Sequence, residues 1–316
     1  MKNLLLAASV LGLATAWAAA PKPAQAQDKK VFALVPKLVG VPFYSDVEAG
    51  CKAEAEKLGV ECLFTGGTQV DEAEQVRVLR DLITKNVSGL AIAPNNPASV
   101  ASTIEAAQAK GIPVITFDSD APKSTRTSFV GTNNVQGGEE GGKVFAATLP
   151  AGGKYAIITG GLAADNLNER IAGFKSQLGD KFTEVAGSPY PCDDDANKAV
   201  QLVQDVLAKN PDLSGFFFSG GWPMFAPQAY ARAVKSRAED IKSGKFAVVA
   251  FDVQDSQLQL LKAQYATALI GQRPMTMGAK SIDVLNQLVA KESVPPIVDT
   301  GVDVVTAKNV DGYKKQ

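Results

Sequence analysis

The chain has 316 residues, with 32 basic and 33 acidic side chains and a formal net charge of −1. This balance offers no basic surface for nucleic acid or an anionic membrane, so neither is expected as a partner. The chain has no histidine, which excludes Ser-His-Asp and Cys-His catalysis and imidazole metal sites, whereas chemistry based on carboxylates, Lys or Tyr stays open.

The chain begins with the pattern of a secretory signal. An apolar stretch over residues 4–20 follows Lys2, and Ala24-Gln25-Ala26 has the small-x-small form of a signal-peptidase site. Residues 1–26 are therefore predicted to be a cleaved signal peptide, and the mature chain is predicted to start near Gln27. Since no Cys follows that position, no lipid anchor is expected there.

Apolar, β-branched runs alternate with amphipathic segments along the mature chain, which predicts an α/β fold with parallel sheets and right-handed crossovers. Strands are predicted at 31–36, 60–64, 89–93, 113–117, 154–159, 183–186, 215–218, 246–251 and 267–270, and helices at 46–58, 71–86, 97–110, 135–149, 165–178, 195–209, 224–238, 255–264 and 275–291. Nine strands are many for a single sheet, so two domains are expected. A domain crossing is predicted in the Gly-rich stretch 131–142.

Cysteines and the acidic triplet have structural interpretations. Cys51 on the first helix and Cys62 on the next strand would be neighbours, so either a disulfide or two buried thiols is expected, with Cys192 left over. The triplet Asp193-Asp194-Asp195 lacks the ligand spacing of an EF-hand and is interpreted as helix capping and solvated charge.

Polar and aromatic side chains follow several predicted strands. Because ligands of parallel α/β sheets bind at the carboxyl ends of strands, we expect these residues to meet in one cleft. They are Lys37, Phe43, Tyr44, Asn95, Asp118, Ser119, Asp165, Asn166, Asn168, Arg170, Trp222, Asp252 and Gln272.

This set suits a polyhydroxylated ligand. Carboxylates accept from hydroxyl groups, amides donate and accept, cations donate to oxygens, and aromatic faces cover the C–H face of a ring. For Asp165 or Asn166 helix capping is at least as good an interpretation as ligand contact, and Trp222 could belong to the core. Lys37 is interpreted as a ligand donor in preference to a catalytic base. Asp118 is the strongest candidate, because a second carboxylate follows at Asp120.

No cofactor is expected. The sequence has neither a Walker loop nor a G-x-G-x-x-G after a strand, so no loop that binds the phosphates of a nucleotide is expected.

The sequence resembles the periplasmic sugar-binding proteins of ABC transporters, the group that contains ribose-binding protein. The similar segments are Val41-Pro42-Phe43-Tyr44, residues 111–118, Asn168-Glu169-Arg170 with Gly173-Phe174, Ala250-Phe251-Asp252, and Gly271-Gln272-Arg273-Pro274 with Gly278-Ala279-Lys280. Lys37 and the run Asp118-Ser119-Asp120 are similar to the autoinducer-2-binding branch.

The resemblance implies two Rossmann-like lobes joined by a three-strand hinge that closes on a ligand. After the signal peptide at 1–26, it implies an N-terminal lobe of 27–132 and 273–301, and a C-terminal lobe of 133–272 and 302–316. It also implies a monomeric, non-enzymatic periplasmic protein that hands a sugar or polyol to an ABC permease in the inner membrane. Pentoses, tetritols, cyclitols and furanosyl compounds stay open as ligands.

Two other functions stay open. A ligand-presenting partner of a chemoreceptor or sensor kinase would need the same cleft, and a secreted carbohydrate-active enzyme could use Asp118 with Asp252 as paired carboxylates.

Overall fold

The computed structural model describes residues 29–315, so the predicted signal peptide lies outside the described residues. The first part of this range forms β1 (Val31–Val35), α1 (Pro42–Leu58), β2 (Glu61–Phe64), α2 (Glu72–Thr84), β3 (Gly89–Ile92), α3 (Pro97–Ala109), β4 (Val114–Phe117) and β5 (Phe129–Gly131). These strands are nearly all buried on both faces, which explains their continuous apolar sequences.

The second part forms another sheet with its own helices. Its elements are α4 (Asn134–Thr148), β6 (Gly153–Thr159), α5 (Asp165–Ser176), β7 (Phe182–Glu184), β8 (Tyr190–Pro191), α6 (Ala196–Lys209), β9 (Leu213–Phe218), α7 (Trp222–Phe225), α8 (Pro227–Ala233), α9 (Ala238–Lys242), β10 (Ala247–Phe251), α10 (Asp255–Lys262) and β11 (Ala268–Gly271). The chain then continues through α11 (Pro274–Val289), β12 (Ile297–Asp299) and β13 (Asp303–Thr306).

Each sheet is the centre of one lobe. The first lobe has the parallel strand order β12-β5-β4-β3-β1-β2. The second has the order β13-β11-β10-β9-β6-β7, in which β8 also pairs with β6 and only β13 among the described strands is antiparallel to its neighbour. Apolar clusters cover both faces of each sheet, so each lobe has its own core.

The chain crosses between the lobes three times. It leaves the first sheet after β5 and enters α4, which packs on β10 and β11 of the second lobe. It returns after β11 through α11, which packs on β3, β4 and β5, and it crosses again between β12 and β13. The carboxyl ends of the two sheets therefore face one cleft.

The structure differs from the predicted elements in several places. Strands β5, β8, β12 and β13 were not predicted, and α1 begins at Pro42 instead of residue 46. The predicted helix 224–238 is broken into shorter pieces, and the first break falls at Pro227, which cannot donate a helical hydrogen bond. Most of the Gly-rich stretch is helix α4, so only its first residues form the crossing.

Cys51 and Cys62 are joined by a disulfide that ties α1 to β2, with their Cα atoms 6.0 Å apart. Cys192 is free and buried, and its burial raises the pKa of its thiol well above the ordinary value. Among residues 29–315, no helix has the length and apolar character needed to span a bilayer.

Candidate ligand-binding site

A cavity of about 470 Å³, including its mouth, lies between the carboxyl ends of the two sheets. Of the predicted site residues, those that line it are Lys37, Phe43, Tyr44, Asp118, Asn166, Arg170, Trp222, Asp252 and Gln272. Both lobes contribute, so the cavity exists only where the lobes meet.

Asp118 is the central carboxylate of the first lobe. It follows β4 in a left-handed conformation, with φ of 59°, and its side chain is buried. The Tyr44 hydroxyl donates to Asp118 Oδ2 at 2.7 Å, while Asp118 Oδ1 lies 4.0 Å from Arg170 Nη2 of the other lobe. One carboxylate oxygen is thus held by the first lobe and the other faces the second.

Arg170 is fixed on all sides by the second lobe and its hinge. Its guanidinium donates to Asn134 Oδ1 at 2.9 Å, to the Ser219 carbonyl at 2.9 Å and to Gln272 Oε1 at 2.7 Å. The guanidinium carbon also lies 4.3 Å from the centre of the Phe251 ring. A buried cation held by three acceptors and an aromatic face is pre-organised to donate to a ligand.

Asp252 is linked to the hinge through Gln272. Asp252 follows β10, again in a left-handed conformation with φ of 74°. Its carboxylate accepts from the Gly221 backbone N–H at 2.9 Å and from Gln272 Nε2 at 2.7 Å. Burial raises the pKa of Asp252, although Arg170 and these hydrogen bonds oppose that shift.

Lys37 is a buried ammonium that reaches across the cleft. It follows β1 and donates to Asn166 Oδ1 of the second lobe at 3.0 Å. Burial lowers the pKa of Lys37, and the charges that act most strongly against this shift are the carboxylates of Asp118 and Asp194.

Aromatic side chains enclose the cavity. Phe43 and Tyr44 lie in the first turn of α1 and meet edge to face, with ring centroids 5.2 Å apart. Trp222 starts α7, and its ring lies so close to Gly160 and Gly220 that a Cβ at either position would contact it at 3.0 Å or less. The wall formed by Trp222 therefore depends on two glycines.

Four predicted residues lie outside the cavity. Asn95 is buried and used locally, because its amide donates to the Asp71 carbonyl at 3.3 Å. Ser119 is fully buried behind Asp118, and Asn168 is exposed and donates to the Leu162 carbonyl at 3.0 Å. Asp165 lines a separate depression at the rim, together with Lys123. Direct contact with a ligand in the cavity is not expected of these four.

The interpretation of the acidic triplet was wrong at its middle residue. Asp195 does cap α6, since it accepts from the Lys198 backbone N–H at 2.8 Å, and Asp193 is an exposed partner of the Lys198 side chain. Asp194, however, lines the cavity, and burial raises the pKa of its carboxyl. The only available signal was its place after β8, a strand of two residues that the sequence did not reveal.

The remaining lining is apolar and was not predicted; it comprises Leu38, Val41, Leu167 and Phe225, together with Gly220. Among residues 29–315 no group of three acidic or sulfur side chains is placed to hold a metal ion. The arrangement combines donors, acceptors and flat apolar faces, which can hold a compact polar molecule by hydrogen bonds from both sides.

Residues 32–293 match the family model described as a periplasmic binding protein domain. The match spans most of the chain, and the chain belongs to the periplasmic binding protein family, with the type I arrangement of two α/β lobes. The predicted fold class and the predicted family are thus confirmed.

Several characterised relatives are similar over nearly the whole chain. The ribose import binding protein RbsB of Bacillus subtilis is 26% identical over 289 residues, which is 91% of either chain. The D-allose-binding periplasmic protein of Escherichia coli is 28% identical over 278 residues, covering 84% of this chain and 86% of the relative.

A solved structure extends the comparison. An ABC transporter solute-binding protein from Burkholderia graminis, in complex with D-arabinose, is 37% identical, with a TM-score of 0.83 and coverage of 92% of this chain and all of the other.

Proposed function

We propose that this protein binds a monosaccharide or a similar polyol between its lobes and delivers it to an ABC importer. The observation that carries the proposal is the cross-lobe cavity, in which Asp118 of one lobe faces Arg170 of the other at 4.0 Å and Lys37 reaches Asn166 at 3.0 Å. A hydroxyl-rich ligand can add hydrogen bonds to both lobes at once, which stabilises the closed form.

The charges in the cavity argue against an anionic ligand. Three carboxylates, those of Asp118, Asp194 and Asp252, face two cations, Lys37 and Arg170. An anionic ligand would add to the excess of negative charge in a buried space, where charges interact more strongly than in water. The relatives named for ribose and allose, and the arabinose complex, support a neutral sugar.

The proposal includes a location, a partner and two rigid bodies. The protein acts in the periplasm after removal of residues 1–26, as a monomer that docks on a permease in the inner membrane. The bodies that rotate are residues 27–132 with 273–301, and residues 133–272 with 302–316. The sheet membership of β12 and β13 supports the last boundary.

No catalytic step is proposed. The carboxylates of Asp118 and Asp252 already accept hydrogen bonds from Tyr44, Gly221 and Gln272, which suits fixed ligand acceptors. Mass spectrometry of a sugar incubated with the protein is expected to recover it unchanged, and a converted product would contradict the proposal.

Calorimetry on the mature chain tests the proposed function. The panel is D-ribose, D-arabinose, D-allose, D-xylose, erythritol and myo-inositol. At least one member is expected to bind with a micromolar or lower Kd, to raise the melting temperature and to make the scattering profile more compact. If no member of the panel gives heat, a thermal shift or compaction, the proposed function is wrong.

A further inference from the structure

Asp194 differs from the other carboxylates of the cavity in having no donor of its own. Asp118 accepts from Tyr44, and Asp252 accepts from Gly221 and Gln272. Within residues 29–315 no side chain or backbone group hydrogen-bonds to the Asp194 carboxylate, although that carboxylate lines the cavity. The side chain is half-buried and no donor in the described part of the chain satisfies its carboxylate, so an O–H or N–H group of a ligand in the cavity can donate to it.

The local backbone directs Asp194 inward and its neighbour outward. Asp193 and Asp194 both adopt left-handed conformations, with φ of 53° and 58°. Asp193 faces solvent and pairs with Lys198, whereas the Asp194 carboxylate lies against Gly160 at the end of β6. A side chain at position 160 would occupy the same space, so the carboxylate is built into the cavity wall.

Lys37, on the opposite lobe, has N–H donors that lack acceptors among the described residues. An ammonium group has three N–H donors, and among residues 29–315 its one side-chain acceptor is Asn166 Oδ1 at 3.0 Å. No described carboxylate lies within 4.0 Å of Lys37 Nζ, even though Asp118 and Asp194 are the acidic groups that act most strongly on its charge. Lys37 is only 6% exposed, so water has little access to its remaining donors.

We infer that Asp194 is a specificity-determining ligand contact, whose carboxylate accepts from two adjacent hydroxyl groups of the sugar or polyol while Lys37 donates to an oxygen of the same pair. A hydroxyl group has one O–H donor and can also accept, so a vicinal diol can donate to both oxygens of the Asp194 carboxylate while one of its own oxygens accepts from Lys37, whereas a single hydroxyl can donate to only one carboxylate oxygen. The contact joins the lobes, since Lys37 belongs to the first lobe and Asp194 to the second. This inference rests on the proposed function and adds the residue that selects the diol.

Substitution of Asp194 tests the inference. Asp194→Asn keeps the size and tolerates the left-handed backbone, but it removes the charge and one acceptor. For the tightest-binding member of the six-compound panel, calorimetry is expected to show a Kd raised at least tenfold, because charge-assisted hydrogen bonds to the ligand are lost. Asp194→Gly removes the side chain without backbone strain and is expected to raise the Kd at least as much.

Asp193→Asn is the matched control, because it makes the same change in charge one residue away, at a side chain that faces solvent. Its Kd is expected to stay within twofold of that of the unaltered protein. A Kd within twofold for Asp194→Asn, or an equal loss in Asp193→Asn, overturns the inference and leaves the proposed function standing. If the unaltered protein binds none of the panel, both are overturned. If Asp194→Asn does not melt cooperatively, Asp194→Gly decides by the same criterion.

Discussion

Asp118 and Asp252 show how single residues build the site. Each follows a central strand of its lobe, and each takes a left-handed conformation, which is uncommon for residues other than glycine. That backbone turns the carboxylate back over the end of its sheet, towards the cleft. Strain of this kind collects at functional sites, where the surrounding contacts hold it in place.

Asp118→Asn is expected to weaken sugar binding by at least tenfold, with little change in the melting temperature of the ligand-free protein. The amide oxygen can still accept from Tyr44, but the charge that faces Arg170 is lost. Asp165→Asn is the control, since Asp165 is a strand-end carboxylate outside the cavity. Calorimetry compares the two, and equal affinities would remove Asp118 from the site.

Asp194 makes the stability of the ligand-free protein depend on pH in a definite direction. Burial raises its pKa in the folded state, so the folded form favours the protonated carboxyl. Its contribution is favourable at low pH and is lost as the pH rises above the ordinary Asp value near 3.8. The melting temperature of Asp194→Asn, relative to that of the unaltered protein, is therefore expected to rise between pH 4 and pH 7. A constant difference over this range would contradict the assignment.

Lys37, Asp118 and Asp252 could be predicted to line a site because each follows a strand with a clear apolar sequence, and such strand ends converge. Asp194 could not, because β8 is short and half-buried, and an Asp before a helix ordinarily indicates a cap. Asn168 and Asp165 fit the same strand-end rule, but α5 turns Asn168 to solvent and leaves Asp165 at the rim. The strand-end rule predicts the region in which the site lies, whereas the direction of each side chain depends on the helix that follows the strand.

At the scale of elements, pairs of closely packed helices hold the site residues in position. Glycines of α4 and α5 meet so closely that a Cβ on Gly138 would clash with the Arg170 carbonyl, and one on Gly173 with the Val135 carbonyl. In the first lobe, Gly50 of α1 and Gly278 of α11 make the same kind of contact. The Gly-rich composition that indicated a crossing is thus also a requirement of helix packing.

Gly138→Ala is expected to lower the free energy of unfolding by about 1–3 kcal/mol, because the added methyl group overpacks two backbones. It should also weaken sugar binding, since it displaces the helix turn that holds Arg170. Gly179→Ala, at a position with open space around it, is the control and is expected to unfold like the unaltered protein. Denaturant titration of both variants measures the difference in stability. Equal midpoints would contradict the prediction, because they would show that the contact between α4 and α5 accommodates the added methyl group.

Strands β12 and β13 could not be predicted from the local pattern of apolar and polar residues. β12 has only three residues, with Ile297 and Asp299 exposed, so it lacks both an apolar run and alternation. Its position comes from parallel pairing with β5, a contact between residues more than 150 positions apart. Such strands follow from the assembled sheet and leave little trace in local sequence.

At the scale of the whole molecule, the C-terminal segment links the lobes near the hinge. Lys315 Nζ lies 3.0 Å from Asp255 Oδ1 of α10 in the second lobe and 3.8 Å from Asp46 Oδ2 of α1 in the first. Tyr313 donates to Asp303, which also pairs with Arg273 at the second crossing. These contacts favour the arrangement in which the two lobes are close.

Lys315→Met is expected to raise the Kd for sugar modestly, about two- to fivefold, because partly exposed ion pairs contribute about 0.2–1 kcal/mol. The effect should shrink at high salt, where screening already weakens the pairs. Lys314→Met, at an exposed neighbour, serves as control. An increase in Kd that is the same for both variants would point to net charge instead of a cross-lobe contact.

Gln272 belongs to the second crossing and to the cavity at the same time. It accepts from Arg170 and from the Thr132 hydroxyl at the first crossing, and it donates to Asp252. For anyone adapting this scaffold as a biosensor, affinity and signal amplitude are therefore coupled through one amide. Tuning the response without altering ligand preference would have to begin elsewhere, and the ion pairs of Lys315, which does not line the cavity, are a suitable place.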